Sequence, residues 1–471
     1  MKHQAKYISR AALLLVMVLF ASQSALGQRA IVPNEVANGV FQSALAAFEA
    51  ADYETAVTQF RDCFRRYPLH TYTTAAMLMH GKSLYRLGRY PSARQAMESF
   101  VKEYSTSLYV EEAVRIISYA TEMMQYDKLF TLGILLPGSN EDISLSAALL
   151  NGVLLAVDMH NDSGTDANIK VRIVFRESSA EPESAYQSVR ELKDAGAELI
   201  IGPLYSDEAG AAAQAAEELG VVLVAPLATD NEITENRQFA FQANPSIEMR
   251  GKLMAQFAIN ALRLQHFAVV AEQSSPIGDE MASGFEDELL RLGGTIEISD
   301  RLPGSNYWFK LNERYSSDAF DNVDAIYLPV TGGNAQALAK GALDSIDRLN
   351  IPIRVLGNKE WHNLTGAMQA SQYDAVYTTD YDVEESRQVE DFRRLYESRF
   401  GSAPNSLSFI GFDVGNFVLL QLFAQDGPIH GAIANANYYQ GLAIRIDFRG
   451  GNINQALSFF RYRNGKSERL R

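Results

Sequence analysis

From residue 129 onward, short apolar runs alternate with longer amphipathic segments, and this alternation restricts the fold more than any other feature of the sequence. The runs are apolar on both faces, which is typical of buried strands in a parallel sheet covered by helices on both sides. Strands are predicted at residues 130–136, 169–175, 197–202, 221–225, 267–271, 295–298, 325–329 and 353–356. Helices are predicted at about 145–161, 182–195, 206–219, 281–292 and 335–349, with another that begins at Ile247. Two successive sets of this length predict an α/β body with two doubly wound lobes.

The order of the elements changes after residue 373. A strand, two helices and two β-rich segments are predicted at residues 375–378, 384–400, 407–423, 441–448 and 456–462. Gly450 and Gly451 lie between the two β-rich segments, and Asn464-Gly465 follows them. Because glycine pairs and Asn-Gly are strong turn signals, we predict a β-hairpin at the end of the chain.

Residues 35–125 carry a helical pattern that repeats with a period of 37 residues. The first copy contains Tyr53, Ala56, Phe60, Phe64 and Tyr67, and the second contains Tyr90, Ala93, Met97, Val101 and Tyr104. Spacings of three and four place each set on one helical face, so a small all-α domain is predicted over residues 28–126. The pattern resembles tetratricopeptide repeats, which usually present a concave surface to another protein. A helical hairpin domain of another kind remains the alternative.

The first 27 residues have the pattern of a cleavable secretory signal peptide. Three basic residues precede an apolar run at 11–21 that is short for a membrane span, and Ala25-Leu26-Gly27 offers a cleavage site. An uncleaved membrane anchor is the alternative. No cysteine follows the run, so no lipid attachment is expected. No other transmembrane segment is predicted, and we expect a periplasmic protein.

Composition argues against several kinds of function. The formal net charge of −15 argues against a broad nucleic-acid-binding surface, because binding of the phosphates requires a basic surface. The single cysteine, Cys63, and seven histidines without metal-ligand spacing favour neither a disulfide framework nor a metal site. No catalytic motif lies where a strand meets a helix. We therefore expect a protein that is not an enzyme and that holds no metal or other cofactor.

Residues 129–465 resemble the type I periplasmic binding proteins of the Leu/Ile/Val-binding class. The resemblance lies in the runs FTLGILLPGS at 130–139, ELIIGP at 198–203, VVLVAP at 221–226 and IDFRGG at 446–451. It implies two lobes of parallel, doubly wound sheets joined by three crossovers, near residues 244–246, 378–380 and 443–447. Lobe 1 would contain about residues 129–244 and 379–442, and lobe 2 about 245–378 and 443–471.

Two hydroxyl side chains follow neighbouring predicted strands. Ser206 opens a helix after the strand at 197–202, where free N–H groups favour an anion, and Thr229 follows the next strand. The resemblance implies that they hold the α-carboxylate of an amino-acid ligand. Both residues are also good helix N-caps, each worth about 1 kcal/mol, so a purely structural role is the alternative.

Further ligand contacts are predicted at Tyr205, Glu360, Trp361 and Ser139, and at Tyr381. Trp361 is expected either to stack on a ligand or to make an apolar contact at the edge of a lobe. Amino-acid binders of this class place an acidic residue after the first crossover to receive the ligand's ammonium. Here that position is Ile247, and Glu248 is one residue too late.

The sequence leaves two functions open. One is a solute-binding protein that captures a small polar ligand, an amino acid or related carboxylate, and presents it to a membrane permease or a sensor. The other is an envelope regulator or scaffold that binds a protein partner through its helical repeats. This second layout resembles the outer-membrane activators of penicillin-binding proteins, which act on peptidoglycan synthases, although those proteins carry a lipid-bearing cysteine.

Overall fold

The computed structural model describes residues 34–125, 128–138, 142–162, 169–423 and 427–470. The chain divides into two compact units, Met1–Asp127 and Lys128–Arg471. The predicted signal peptide at residues 1–27 lies outside the described residues.

Residues 34–125 of the first unit are α-helical. The helices are α1 (Glu35–Glu49), α2 (Tyr53–Arg66), α3 (Thr73–Arg86), α4 (Tyr90–Glu103) and α5 (Val110–Met123). Tyr53 and Tyr90, the repeat positions 37 residues apart, are each the first residue of a helix. Ala56 and Ala93, also equivalent in the repeat, are both fully buried, because only a small side chain allows neighbouring helices to approach closely. The structure is thus consistent with the predicted tetratricopeptide-like arrangement.

Lobe 1 of the second unit is built on a parallel sheet with the strand order β2-β1-β3-β4-β5. Its strands are β1 (Lys128–Leu136), β2 (Ile169–Glu177), β3 (Leu199–Ile201), β4 (Val222–Ala225) and β5 (Ala240–Gln242). The helices that connect them are α6 (Ile143–Asp162), α7 (Pro182–Asp194) and α8 (Ser206–Leu219). The last eight residues of β1 are buried, as expected for a strand covered on both faces.

Lobe 2 is built on a larger sheet with the strand order β14-β13-β10-β9-β8-β6-β7. Its first elements are α9 (Ile247–Asn260), β6 (His266–Glu272), α10 (Pro276–Arg291), β7 (Thr295–Leu302), α11 (Leu311–Arg314), β8 (Ala325–Leu328), α12 (Ala335–Leu349), β9 (Arg354–Gly357), α13 (Ala367–Gln372) and β10 (Val376–Thr379). The chain then returns to lobe 1 through α14 (Arg387–Phe400), α15 (Ser406–Phe423), α16 (Ile429–Ala434), β11 (Tyr439–Gln440) and β12 (Arg445–Ile446). It ends in lobe 2 with β13 (Ser458–Arg463) and β14 (Lys466–Leu470). The predicted two-lobed α/β fold is confirmed.

The third crossing between the lobes lies later in the chain than the predicted 443–447. Ile446 and Phe448 are buried in the core of lobe 1, where their apolar side chains pack under the sheet. The N–H of Gln242 in β5 also donates to the carbonyl oxygen of Asn452 at 2.8 Å. Residues 443–454 therefore stay with lobe 1, and the chain enters lobe 2 only as it approaches β13.

The terminal hairpin also differs from the prediction. The strand at 458–463 pairs with 466–470 across the Asn464-Gly465 turn. The segment at 445–446 pairs instead with Tyr439–Gln440. The Asn-Gly dipeptide is thus the hairpin turn, whereas Gly450 and Gly451 lie in the segment 443–454 that stays with lobe 1.

Each lobe contains one pair of helices in unusually close contact. A Cβ atom added at Gly152 of α6 would lie 2.1 Å from the carbonyl oxygen of Ser408 in α15. A Cβ atom at Gly251 of α9 would lie 2.0 Å from the carbonyl oxygen of Met281 in α10. Among the described residues, α6 and α15 are the two helices long and apolar enough to cross a membrane by length and composition alone. Here they pack against each other within the core of lobe 1, which accounts for their apolar composition.

Candidate functional site

A cavity of about 590 Å³ opens between the two lobes at the crossovers. Its wall is formed by residues that follow β4 and β5 of lobe 1 and by residues that follow β8, β9 and β10 of lobe 2. Ligands of open α/β sheets gather at the carboxyl ends of parallel strands, and small-molecule sites commonly measure about 300–1,000 Å³. We call this space the hinge cavity.

The lobe 1 wall contains one of the two predicted hydroxyl residues. Thr229 lines the hinge cavity, and its carbonyl oxygen accepts a hydrogen bond from the N–H of Ile247 at 3.2 Å. Ser206 lies behind it, outside the wall, and its Oγ accepts a hydrogen bond from the Thr229 N–H at 3.2 Å. The structure therefore brings Ser206 and Thr229 together, but Thr229 alone faces the cavity.

Neither Ser206 nor Thr229 is the N-cap of a helix in the structure. Tyr205, not Ser206, is the N-cap of α8, and Ser206 is the first residue of the helix. Asp230, not Thr229, is the N-cap of the short 3₁₀ turn that follows β4. Ser206 instead fixes the backbone of Thr229 through the hydrogen bond between them.

An ion pair crosses the floor of the hinge cavity. Arg250 of α9 lies 2.7 Å from Asp380, which follows β10, and Lys359 lies 3.8 Å from the same carboxylate. Burial opposes ionisation of Asp380, but the charges of Arg250 and Lys359 outweigh it and lower the pKa of this carboxyl. Arg250 also donates to the Asn244 side chain at 3.1 Å and to the Pro245 carbonyl oxygen at 3.2 Å. One buried guanidinium thus ties the first crossover to the second.

The position that family amino-acid binders fill with an acid is apolar in the wall. Ile247 lines the hinge cavity at the start of α9. Glu248, the neighbouring acid, does not line it, because its carboxylate accepts from Asn231 and pairs with Lys252. The wall therefore offers no acid at this point.

The two candidates that follow β9 differ in their placement. Glu360 lines the hinge cavity. Trp361 is 1% exposed and lies in the core of lobe 2, where its indole N–H donates to the Leu328 carbonyl oxygen at 3.1 Å. Its ring cannot stack on a ligand in this conformation, because apolar side chains already surround it. Tyr381 lies on the wall, where it follows Asp380.

Of the two remaining candidates, Tyr205 lies away from the cavity wall. Tyr205 is exposed, and its hydroxyl donates to a carboxylate oxygen of Asp142 at 2.5 Å. Ser139 lies outside the described residues. No group of three or more His, Cys, Asp or Glu side chains is placed to hold a metal ion within the described part of the chain.

Sequence reasoning missed the residues that give the hinge cavity its charge. Arg250 lies on a helix and Asp380 follows a strand, 130 positions apart, so no local pattern joins them. One signal was present: Ile247, Leu253 and Met254 lie three or four positions from Arg250, which places it on the apolar side of α9, and a buried arginine requires a partner.

The family of the larger unit follows from comparison with known proteins. A protein-family model described as periplasmic binding protein matches residues 130–432. The chain belongs to this family. Its members are binding proteins, which agrees with the expectation that the chain is not an enzyme.

Individual relatives are distant. The Leu/Ile/Val-binding protein BraC3 of Rhizobium johnstonii is 23% identical over 199 residues, which is 42% of this chain and 53% of the relative. A Leu/Ile/Val-binding protein homolog of Brucella melitensis is 21% identical over 169 residues, 36% of this chain and 45% of the relative. The matches thus span about half the length of these relatives.

Solved structures share the fold. One described as a branched-chain amino acid ABC transporter from Rhodospirillum rubrum has a TM-score of 0.60 and 19% identity, and covers 73% of this chain and 100% of that chain. An ABC transporter substrate-binding protein from Desulfitobacterium hafniense, solved with Leu, has a TM-score of 0.51 and 20% identity with the same coverage.

The helical unit has a separate similarity. A family model described as outer membrane lipoprotein matches residues 33–143. This match ends shortly after the first strand of lobe 1 and includes all five helices of the first unit.

Proposed function

We propose that this chain is an exported solute-binding protein whose hinge cavity captures a small polar ligand, an amino acid or a related carboxylate. The observation that carries the proposal is the position of the hinge cavity, walled by the strand ends of both lobes. Rotation of one lobe toward the other would bury a ligand held there, and a membrane transporter or sensor would recognise the closed form. Family membership and the sequence of residues 1–27 support a periplasmic location.

The wall chemistry suggests how a ligand is held. The Thr229 hydroxyl is the donor offered by lobe 1 to a ligand carboxylate, and Ser206 positions it through the Thr229 N–H. Glu360 is a wall carboxylate that forms no ion pair with the described residues, so an amino-acid ligand would place its ammonium there rather than near Ile247. Relatives named as Leu/Ile/Val-binding proteins support the amino-acid class.

The test is a thermal-shift screen of the mature protein against amino acids, short peptides, muropeptides and sugars. A ligand at 100 times its dissociation constant adds about 2.7 kcal/mol, which moves the midpoint by several degrees. Thr229→Ala should lose this shift, and Ser206→Ala should weaken it. Thr365→Ala is the matched control, since Thr365 is exposed and lies outside the cavity wall. An equal shift in Thr229→Ala and Thr365→Ala would remove Thr229 from the site.

A second function is favoured by the outer membrane lipoprotein match to the helical unit. In this alternative the unit binds an envelope protein, and the chain acts as a regulator or scaffold of a membrane synthase. Leu108, before α5, is 97% exposed and marks an apolar surface for such a contact. Leu108→Glu in the full chain should then abolish cross-linking to the partner in cells. Cross-linking that persists unchanged in Leu108→Glu would count against this surface.

A further inference from the structure

A second cavity, of about 490 Å³, lies beside β12 of lobe 1 and β13 and β14 of lobe 2. Ile444 lines the hinge cavity, whereas the next residue, Arg445, lines the second cavity. Successive side chains of an extended segment point to opposite faces, and Leu457 lines both cavities, so the two spaces are adjacent. We call the second space the rear cavity. Most of its side chains are polar, and they include Glu384, Ser458 and Arg469.

Arg445 is a buried cation without a carboxylate partner. Only 9% of its surface is exposed, and its guanidinium donates to the Ser458 hydroxyl. No ion pair joins it to any acid in the described part of the chain. Burying an unpaired charge is costly, and Arg445 lines the rear cavity, so an anion there would relieve this cost.

A second guanidinium converges on the same hydroxyl. Arg469 of β14 donates to the Oγ of Ser458 at 3.3 Å. Its other terminal nitrogen lies 3.3 Å from Asp382 and 3.2 Å from Glu384. Glu384 is 67% exposed, so it can leave Arg469 at little cost. An entering anion can therefore take the place of Glu384.

We propose that the rear cavity is a binding site for a small oxyanion, a carboxylate or phosphate group held by Arg445 and Arg469. Guanidinium groups bind such oxyanions through paired N–H donors, and Ser458 keeps the two groups side by side. Arg445 belongs to lobe 1 and Arg469 to lobe 2, so the bound anion bridges the lobes behind the hinge. The site is distinct from the hinge cavity, whose own cations are paired with Asp380.

The experiment is isothermal titration calorimetry of the full chain with sodium phosphate and with sodium acetate. Chloride holds the ionic strength constant. Glu384→Gln should bind the preferred anion about two- to fivefold more tightly than the wild type, because it removes a competing exposed ion pair. Arg445→Gln should bind it about tenfold or more weakly. Comparison of phosphate with acetate identifies the oxyanion class.

Glu385→Gln is the matched control, since Glu385 is the adjacent acid and pairs with Arg393 outside the rear cavity. Equal affinities in Glu384→Gln and Glu385→Gln would overturn the proposal, even if Arg445→Gln failed to fold. Thr229→Ala should keep the anion response. Loss of that response in Thr229→Ala would assign the anion to the hinge cavity and would also overturn the proposal.

Discussion

The close contact between α9 and α10 gives a prediction that links stability to the hinge cavity. In Gly251→Ala, the new methyl would lie 2.0 Å from the Met281 carbonyl oxygen and 2.8 Å from the Phe285 nitrogen. Ordinary van der Waals contact begins near 3.4 Å, so the 2.0 Å contact requires the helices to separate by roughly 1.4 Å. Overpacking of this kind costs about 1–3 kcal/mol. The upper end applies here, because both opposing atoms belong to the backbone and cannot rotate away.

The helix propensity of alanine offsets part of this cost, by about 1 kcal/mol. We therefore expect a net loss of about 2 kcal/mol, which lowers the midpoint of the larger unit by about 4 °C. Because Ile247 and Arg250 lie on α9 and Met281 on α10, separation of the helices should also weaken ligand binding in the hinge cavity.

Gly210→Ala is the matched control for this substitution. Gly210 also lies inside a helix, α8, but a Cβ atom there meets nothing within 4 Å. Gly210→Ala should therefore gain only the stabilisation from the higher helix propensity of alanine, which raises the midpoint by about 2 °C. The assay is differential scanning calorimetry of the full chain, which separates the transitions of its two units. Shifts of the same sign and size in both variants would refute the packing argument.

Three further predictions concern single residues. Asp380→Asn should lower the unfolding free energy by about 3–5 kcal/mol in chemical denaturation, because it leaves buried Arg250 without its counter-charge. A decrease below about 1 kcal/mol would show that the ion pair is solvated. Trp361→Phe should lower stability by about 1–3 kcal/mol, because it loses packing and the hydrogen bond to Leu328. Its ligand affinity, measured by calorimetry, should not change. A large loss of affinity would instead place Trp361 in the binding site. Burial raises the pKa of Asp413 to about 6, although three backbone N–H groups donate to its carboxylate. The folded state therefore holds this proton more tightly than the unfolded state. As the pH falls from 7 to 4, the unfolding free energy of the wild type relative to Asp413→Asn should rise by up to about 3 kcal/mol. A difference in unfolding free energy that does not change with pH would contradict this prediction.

Local pattern predicted most of the fold because each lobe repeats one simple unit. The strand predicted at 221–225 and the helix predicted at 335–349 lie within a residue of Val222–Ala225 and Ala335–Leu349. The third crossing was misplaced because residues 443–447 alternate like a strand but pack on lobe 1. Alternation alone does not say which core receives the apolar face of a strand.

The site was less predictable because its charges come from segments far apart in the sequence. Thr229 and Glu360 were predicted from their positions shortly after a strand, and both line the hinge cavity. Arg250 and Asp380 meet only when the folding of lobe 2 brings α9 against the end of β10. Trp361 shows the opposite difficulty, since its position after β9 suggested the cavity while its side chain fills the core.

The central claim is that one small molecule binds between the lobes of the larger unit. The most direct measurement is the calorimetric stoichiometry of the ligand identified by the screen, in the wild type and in Thr331→Trp. Thr331 lines the hinge cavity, so an indole there should block it, whereas Asn334→Trp adds the same ring to an exposed position of the same loop outside the wall. The expected result is one site per chain in the wild type and in Asn334→Trp, and none in Thr331→Trp. Undiminished binding in Thr331→Trp would contradict it.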